Sequence, residues 1–163
     1  MAHSTVTFSP SNLQSTEQIK AFKRFREIQK ETDAMATQMR GADNVDGLDL
    51  DPARDRVAVA DLGINGRPFS GVAHFDGECL QRLSIEHASL EHRPPDFYGK
   101  LELKHGFETS PQQQIWTKDR VSGWADWQGI LMEETTTHER FTVDAASGAI
   151  TYDLDAEYYR DSD

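Results

Sequence analysis

Apolar residues recur in steps of three and four along residues 19–39, which is the spacing of one face of a helix. The positions are Ile19, Phe22, Phe25, Ile28, Thr32, Met35 and Met39, with threonine as the only polar member. Ser15 and Gln18 precede this run at the spacing of a capping box, in which each side chain satisfies a backbone amide of the other residue. No glycine or proline interrupts the run before Gly41, which suits the left-handed residue after a helix end. We therefore predict a helix over residues 16–40.

The apolar stripe of this helix is narrow, and it allows two interpretations. It lies across a sheet of the same chain, or it forms a seam that binds a second copy or a partner. The first half of the helix is basic, with Lys20, Lys23, Arg24, Arg26 and Lys30. We expect these cations to face the acidic remainder of the chain rather than a nucleic acid.

From residue 57 the pattern changes to the alternation of strands. Residues 57–64 are followed by Asn65-Gly66, the strongest short hairpin signal because both residues accept positive φ. A second run, residues 68–75, ends at Asp76-Gly77, which predicts a second turn of the same type. A third run over residues 79–85 completes a predicted meander of three strands.

The rest of the chain predicts further antiparallel strands. Residues 88–97 contain Pro94-Pro95 and are predicted to be a loop or an edge excursion. Strand character returns in residues 98–103, 115–121, 124–132, 140–143 and 150–154. Residues 144–148 predict the longer turn of a final hairpin. No connection among these strands is long enough for a crossover helix, so all of them are expected to be antiparallel.

These elements predict an α+β fold, with one long N-terminal helix packed on a curved antiparallel meander of about seven or eight strands. We expect a single domain over residues 1–163. Its predicted parts are an irregular lead-in over 1–14, the helix with its caps over 15–41, an acidic linker over 42–55 and the sheet over 56–158.

A seven-residue pattern occurs twice, in Gly71–Gly77 and Gly123–Gly129. Both copies read glycine, bulky apolar, alanine, polar, aromatic, polar, glycine. A weaker copy begins at Tyr98-Gly99 and closes at Gly106. The glycines are expected to permit positive φ in turns and to let aromatic rings lie flat over a strand.

This pattern resembles a known family. Residues 65–73, Asn-Gly-Arg-Pro-Phe-Ser-Gly-Val-Ala, followed by Asp76-Gly77 and Leu80, are similar to the opening of bacterial MORN-like repeat antitoxins. The resemblance covers residues 61–90 well and 98–134 poorly, and the middle unit lacks an Asn-Gly turn. It implies a non-catalytic bacterial immunity or antitoxin protein that is encoded beside a toxin.

The net charge of −11 is unevenly distributed along the chain. Residues 1–42 hold six basic and four acidic residues, and residues 43–163 hold eleven basic and twenty-four acidic ones. Such acidity maintains solubility, and where it clusters on one face it attracts cationic partners and repels nucleic-acid phosphates and anionic membranes. The apolar runs fall far short of the about 20 residues that span a bilayer. We expect a protein partner, with no nucleic acid and no membrane.

No motif predicts a catalytic, cofactor or metal site. The six histidines include no His-x-x-x-His pair, and no glycine-rich phosphate loop is present. Residues 42–53 fail as an EF-hand loop, because Ala42 and Ala53 stand where carboxylates are needed. The lone Cys79 excludes an internal disulfide, and the first residues show no signal peptide. We therefore expect a cytoplasmic protein that is not an enzyme and holds no cofactor.

The tryptophans and acidic clusters supply the candidate site. Trp116, Trp124 and Trp127 form either the thick part of the core or an interface hot spot. Trp124 and Trp127 have opposite parity, so only one of them is expected to point into the core. The candidate partner-binding residues are Asp43, Asp46, Asp49, Asp51, Trp124, Trp127, Glu133 and Glu134.

The predicted function is that of an immunity or antitoxin protein that binds and occludes a basic toxin domain. It would act as a monomer or as a homodimer through the N-terminal helix. The alternative is a small-molecule carrier or enzyme whose β-barrel-like sheet encloses a pocket lined by Phe, Trp and His.

Overall fold

The computed structural model describes residues 2–41, 55–94 and 96–161. These residues form one helix and eight strands, which confirms the α+β prediction. In chain order the elements are β1 (Ala2–Phe8), α1 (Thr16–Arg40), β2 (Asp55–Ile64), β3 (Arg67–Asp76), β4 (Cys79–Arg93), β5 (Phe97–Thr109), β6 (Gln113–Ala125), β7 (Leu131–Asp144) and β8 (Ile150–Arg160).

The strands form one curved antiparallel sheet in the order β1-β8-β7-β6-β5-β4-β3-β2. The two edge strands, β1 and β2, are neighbours in the chain and are joined through α1. The helix therefore has to cross the whole sheet, and it does so over one face. We call this side the concave face and the opposite side the convex face.

The ends of α1 follow the predicted capping only in part. The Ser15 hydroxyl accepts a 3.1 Å hydrogen bond from the Gln18 amide, as predicted. The Gln18 side chain, however, accepts from the amide of Gln14 instead of returning to Ser15. Gly41 has φ −79°, so the prediction of a left-handed residue was wrong. Its amide donates to the Gln38 carbonyl, a bond that a right-handed last turn makes without glycine's special freedom.

Except for Ile19, which is exposed, the stripe of α1 packs against the sheet, which confirms the first of its two interpretations. Phe25 packs edge-on against Trp116 at 5.0 Å and contacts Phe141 at 5.2 Å between ring centroids. Ile28 and Met39, farther along the helix, are almost fully buried. Each such side chain contributes about 1.5–3 kcal/mol of hydrophobic stabilisation. The surface that would form a helical seam is therefore used within the chain.

Close approach of α1 to the sheet depends on Gly71 in β3. A Cβ at Gly71 would lie 2.8 Å from the sulfur of Met39, well inside normal contact. The sequence predicted that glycines of this repeat would lie under aromatic rings, but here the neighbour is a methionine. Gly71 faces the helix and Gly123 lies on the convex face, so the two copies of the pattern occupy non-equivalent positions.

Residues 1–14 were predicted to be irregular, and this prediction was wrong. Residues 2–8 form β1, which pairs with β8 along its whole length. Phe8 is buried on the concave face, while Thr5 on the other face donates to the Asp153 carboxylate. The alternation is too short, and too rich in Ser and Thr, to stand out in a sequence.

The prediction of a loop over residues 88–97 was also wrong. β4 continues to Arg93 and pairs with β5 through His92 and Tyr98, so Pro94 follows the end of the strand, and Pro95 lies outside the described residues. Residues 115–132, predicted as two strands, belong to β6 and β7 with a turn at 126–130. The last hairpin, with its turn after Asp144, is as predicted.

The two early turns differ from one another. Asn65 and Gly66 have φ of 51° and 78°, as a type I′ turn requires. Asn65 is the only non-glycine with positive φ among the described residues, so Asp76-Gly77 is not the same type. A register shift between His74 and Phe75 accompanies this second turn. Strands β2 to β8 span residues 55–160, slightly more than the predicted 56–158, and β1 adds residues 2–8 to the same sheet. The predicted linker falls almost wholly outside the described residues.

Candidate functional site

The side chains of the concave face form rows across the sheet, because neighbouring strands are paired in register. The row beneath α1 is apolar and contains Leu83, Phe107, Trp116, Phe141 and Tyr152. The next row is mixed and contains Ile85, His105, Lys118 and Glu139. Beyond it the rows are mostly polar, and α1 leaves them open. The helix thus divides the concave face into a covered apolar half and an open polar half.

Glu139 marks the boundary between these halves and is held by two residues. The guanidinium of Arg24 donates to both of its carboxylate oxygens, and the Tyr152 hydroxyl donates to one of them. Burial would raise the pKa of Glu139, but the hydrogen bonds from Arg24 and Tyr152 outweigh it, and the pKa is lowered. Burial and the hydrogen bond to Glu139 raise the pKa of Tyr152. This cluster locks α1 to the sheet and is a structural element.

His105 is the buried polar group without a hydrogen bond. Its Nδ1 is the one buried side-chain polar atom without a partner among the described residues. The nearest carboxylate oxygen, on Glu31, lies 3.7 Å away, too far for a hydrogen bond. Glu31 instead accepts from the ammonium group of Lys118 at 3.0 Å. Burial, aided by the charge of Lys118, lowers the pKa of His105 to about 4, so its imidazole is neutral at pH 7.

A cleft of about 620 Å³ opens between α1 and the polar half of the concave face. We call it the helix–sheet cleft. Its walls include Lys30, Arg67, Phe69, Leu103, His105 and Arg120. A second, more polar groove of about 460 Å³ shares Arg67 and Arg120 with this cleft and extends to Trp124 and Glu133. The two depressions therefore form one continuous open surface.

Two of the sequence-predicted site residues meet in this groove. The Trp124 indole donates a 3.3 Å hydrogen bond to the Glu133 carboxylate, and its ring packs edge-on against Phe97. Trp127 is 67% exposed in the turn between β6 and β7. The prediction that only one of Trp124 and Trp127 points inward agrees with this arrangement, although Trp124 is only half-buried.

The remaining predicted site residues lie elsewhere. Glu134 follows Glu133 in β7, so its side chain points to the convex face. There it forms a 2.6 Å ion pair with Lys100. Asp43, Asp46, Asp49 and Asp51 lie outside the described residues.

Exposed and half-buried aromatic and apolar side chains gather at one end of the sheet. We call this region the aromatic end. It comprises Phe97, Tyr98, Trp124, Trp127, Ile130, Tyr158 and Tyr159. Strand register brings them together, since Tyr98 is paired with Ala125 and Tyr159 with Glu134. The hydroxyl of Tyr158 interacts with Glu133, and its pKa is raised by desolvation and by this carboxylate.

Acidic residues outnumber basic ones around the aromatic end. The acidic residues are Glu91, Asp96, Asp126, Glu133, Glu134, Glu157 and Asp161, and the basic ones are Lys100, Arg160 and, in the adjoining groove, Arg67 and Arg120. Aromatic residues are enriched in protein interfaces, and carboxylates around them attract cations.

The convex face carries a row in which carboxylates alternate with histidine or lysine across six strands. His3, Asp155, His138, Asp119 and Lys104 are successive cross-strand partners, and Glu86 follows them in β4. His3 pairs with Asp155, and His138 with Asp119. In the described parts of the chain, no three His, Cys, Asp or Glu side chains lie close enough to hold a metal ion. The row is a set of cross-strand pairs that stabilises the sheet.

Sequence reasoning missed His105, Lys118 and Arg120 as members of one surface. Each lies an even number of positions from a buried residue of its own strand and so shares that residue's face. Lys118 and Arg120 share the face of Trp116, and His105 shares the face of Phe107. Polar residues at inward-facing positions of a strand could have indicated this surface, but those positions can be identified only when the strand boundaries are known.

Comparisons with protein-family models, with curated proteins and with solved structures found no match. Within the described ranges, no helix has both the length and the apolar content needed to cross a bilayer.

Proposed function

We propose that this chain is a non-enzymatic binding protein that occludes a basic protein partner through the aromatic end. The partner class that fits best is a toxin domain, as the resemblance to MORN-like repeat antitoxins implies. The observation that carries the proposal is the Trp124–Glu133 pair, which places an indole and a carboxylate side by side beside exposed Trp127 and Tyr158.

The chemistry of this surface suits cationic side chains. Large aromatic rings desolvate a wide area at small entropic cost, and a few such residues supply most of the binding free energy of an interface. Carboxylates around them steer a basic partner toward the surface and speed association. Because exposed charges are screened by salt, the association rate should fall as ionic strength rises.

The test is co-expression with the product of the neighbouring gene, followed by co-purification and a growth assay for toxicity. The proposal expects a complex and rescue of growth. Trp127→Ala should weaken the purified complex by about 30-fold, the effect of a hot-spot residue. Val72→Ala is the matched control, because Val72 is an exposed apolar residue of β3 on the convex face.

Two results would overturn this assignment. One is the absence of both a complex and growth rescue. The other is a complex whose affinity is unchanged by Trp127→Ala and by Tyr158→Ala, which would place the interface on another surface.

A further inference from the structure

Three cationic side chains of the helix–sheet cleft have no counter-ion among the residues that the structure describes. Lys30, Arg67 and Arg120 form no ion pair with any residue that the structure describes. The two carboxylates that also line the cleft are already paired, Glu27 with Arg24 and Glu31 with Lys118. A concentration of free positive charge is unexpected in a chain of net charge −11. It creates a local site for an anion.

Apolar side chains lie beside these cations in the cleft, since Leu103 is the cross-strand partner of Arg120 and Ile64 that of Arg67. Phe69, Leu103, Ile64 and Met35 line the cleft, and Phe69 and Met35 are buried core residues. A volume of about 620 Å³ falls within the usual range of small-molecule sites, and such sites combine an apolar wall with a few polar groups. The ligand that fits this lining therefore combines an oxyanion with an apolar body.

His105 gives an independent indication of a ligand. It lines the cleft, is 5% exposed, and its Nδ1 has no hydrogen-bond partner. An unsatisfied buried polar atom costs about 1–3 kcal/mol, so it is uncommon unless another group supplies the bond. A bound oxyanion could accept a hydrogen from the neutral imidazole.

We propose that the helix–sheet cleft binds a small organic anion, with Arg67 and Arg120 holding its oxyanion and Phe69 and Leu103 contacting its apolar body. Guanidinium groups bind carboxylates and phosphates alike in a two-pronged geometry. The shared chemistry is thus an oxyanion on an apolar chain, supplied by either a carboxylic acid or a phosphate monoester. This cleft adjoins the groove of Trp124 and Glu133, with which it shares Arg67 and Arg120, but its cations and apolar side chains select an anion rather than a basic protein.

Calorimetric titration of the full chain with octanoate, octyl phosphate and octanol tests the proposal. We expect one molecule of octanoate or octyl phosphate to bind per chain, and octanol to bind at least about tenfold more weakly. The anion that binds more tightly shows whether the preferred headgroup is a carboxylate or a phosphate. The imidazole signals of His105 in NMR spectra should shift on binding of the anion, whereas those of exposed His92 should not.

The double variant Arg67→Ala/Arg120→Ala should lower the anion affinity at least about tenfold. Arg82→Ala/Arg140→Ala removes the same charge from exposed positions of the convex face and should leave the affinity unchanged. All four arginines are exposed, so both variants should retain the wild-type melting temperature.

Three outcomes would overturn the proposal. They are no binding of either anion at millimolar concentration, equal binding of octanol, and an equal loss of affinity in both double variants. Each is distinguishable from failure of the proposed protein partner, because these titrations involve no second protein.

Discussion

Arg24 and Glu139 form a two-pronged ion pair between α1 and β7, with both N–O distances at 2.7 Å. Glu139 is buried, whereas the Arg24 side chain retains 30% of its exposure. Removal of the arginine leaves a buried carboxylate with only the Tyr152 hydroxyl as its partner. The cost of such an unpaired buried charge exceeds the strength of the pair itself.

Arg24→Ala should therefore lower the free energy of unfolding by about 3 kcal/mol, measured by urea denaturation. Lys23→Ala is the control, because Lys23 is an exposed neighbour in the same helix. A difference of less than about 0.5 kcal/mol between the two variants would show that the pair does not lock α1 to the sheet.

Stability should also depend on pH through His105. Burial and Lys118 lower the pKa of His105 from 6.5 to about 4 in the folded chain. Between these pH values the unfolded chain binds a proton on His105 that the folded chain does not. The contribution of neutral His105 to the free energy of unfolding is therefore present above pH 6.5 and is lost as pH falls toward 4. The loss amounts to at most about 3 kcal/mol.

The variant His105→Leu should flatten the stability profile across this pH range, measured by urea denaturation at each pH. His92→Leu, at an exposed position of β4, should keep the wild-type profile. An unchanged profile in the His105 variant would mean that His105 titrates normally in the folded chain.

The contact between Gly71 and Met39 predicts a coupled pair of substitutions. Gly71→Ala places a methyl group against the Met39 sulfur and should cost about 1–3 kcal/mol, the usual effect of overpacking. In a Met39→Ala background the added methyl has room, so most of this cost should disappear in a double-mutant cycle. Gly63→Ala is the control, since no atom lies within 4 Å of its Cβ position. If the two substitutions lower the free energy of unfolding additively, Met39 is not the side chain that the added methyl group meets.

Replacement of tryptophan by phenylalanine should affect stability differently at the buried Trp116 and at the exposed Trp127. Trp116 is 5% exposed between Phe25 and Phe107, whereas Trp127 is 67% exposed. Trp116→Phe should lower the thermal stability by about 1–3 kcal/mol through loss of packing, whereas Trp127→Phe should change it by less than about 0.5 kcal/mol. Trp127→Phe should also remove much of the fluorescence that iodide quenches. Equal destabilisation would contradict the proposed exposure of the turn.

Local signals predicted the elements that local physics determines. The helix over 16–40, its Ser15 cap and the Asn65-Gly66 turn depend on residues within a few positions of one another, and all three are confirmed. β1 was missed because its pairing partner, β8, lies at the far end of the chain. The extension of β4 to Arg93 was missed because its cross-strand partners in β5, rather than its own sequence, keep it in the sheet.

The candidate site could be predicted only in part, because it too depends on pairing between distant segments. Trp124 and Glu133 were chosen for their residue types, and the register of β6 with β7 places them together. Glu134 was chosen with them, but the alternation of the strand sends it to the other face. Arg67 and Arg120 reach one cleft from β3 and β6, with β4 and β5 between them, and nothing in their sequence spacing indicates this meeting.

The pairing of β1 with β8 sets an order of events during synthesis. Phe8 is partnered with Ile150, so β1 cannot pair with β8 until almost the whole sheet has left the ribosome. Until then α1 has no strand beneath its first turn, and β8 is needed to complete that side of the core. Late closure of this kind raises contact order, which slows folding. A nascent chain stalled before β8 should therefore expose the N-terminal part of the apolar stripe of α1, where Phe22 packs against Phe8, to chaperones.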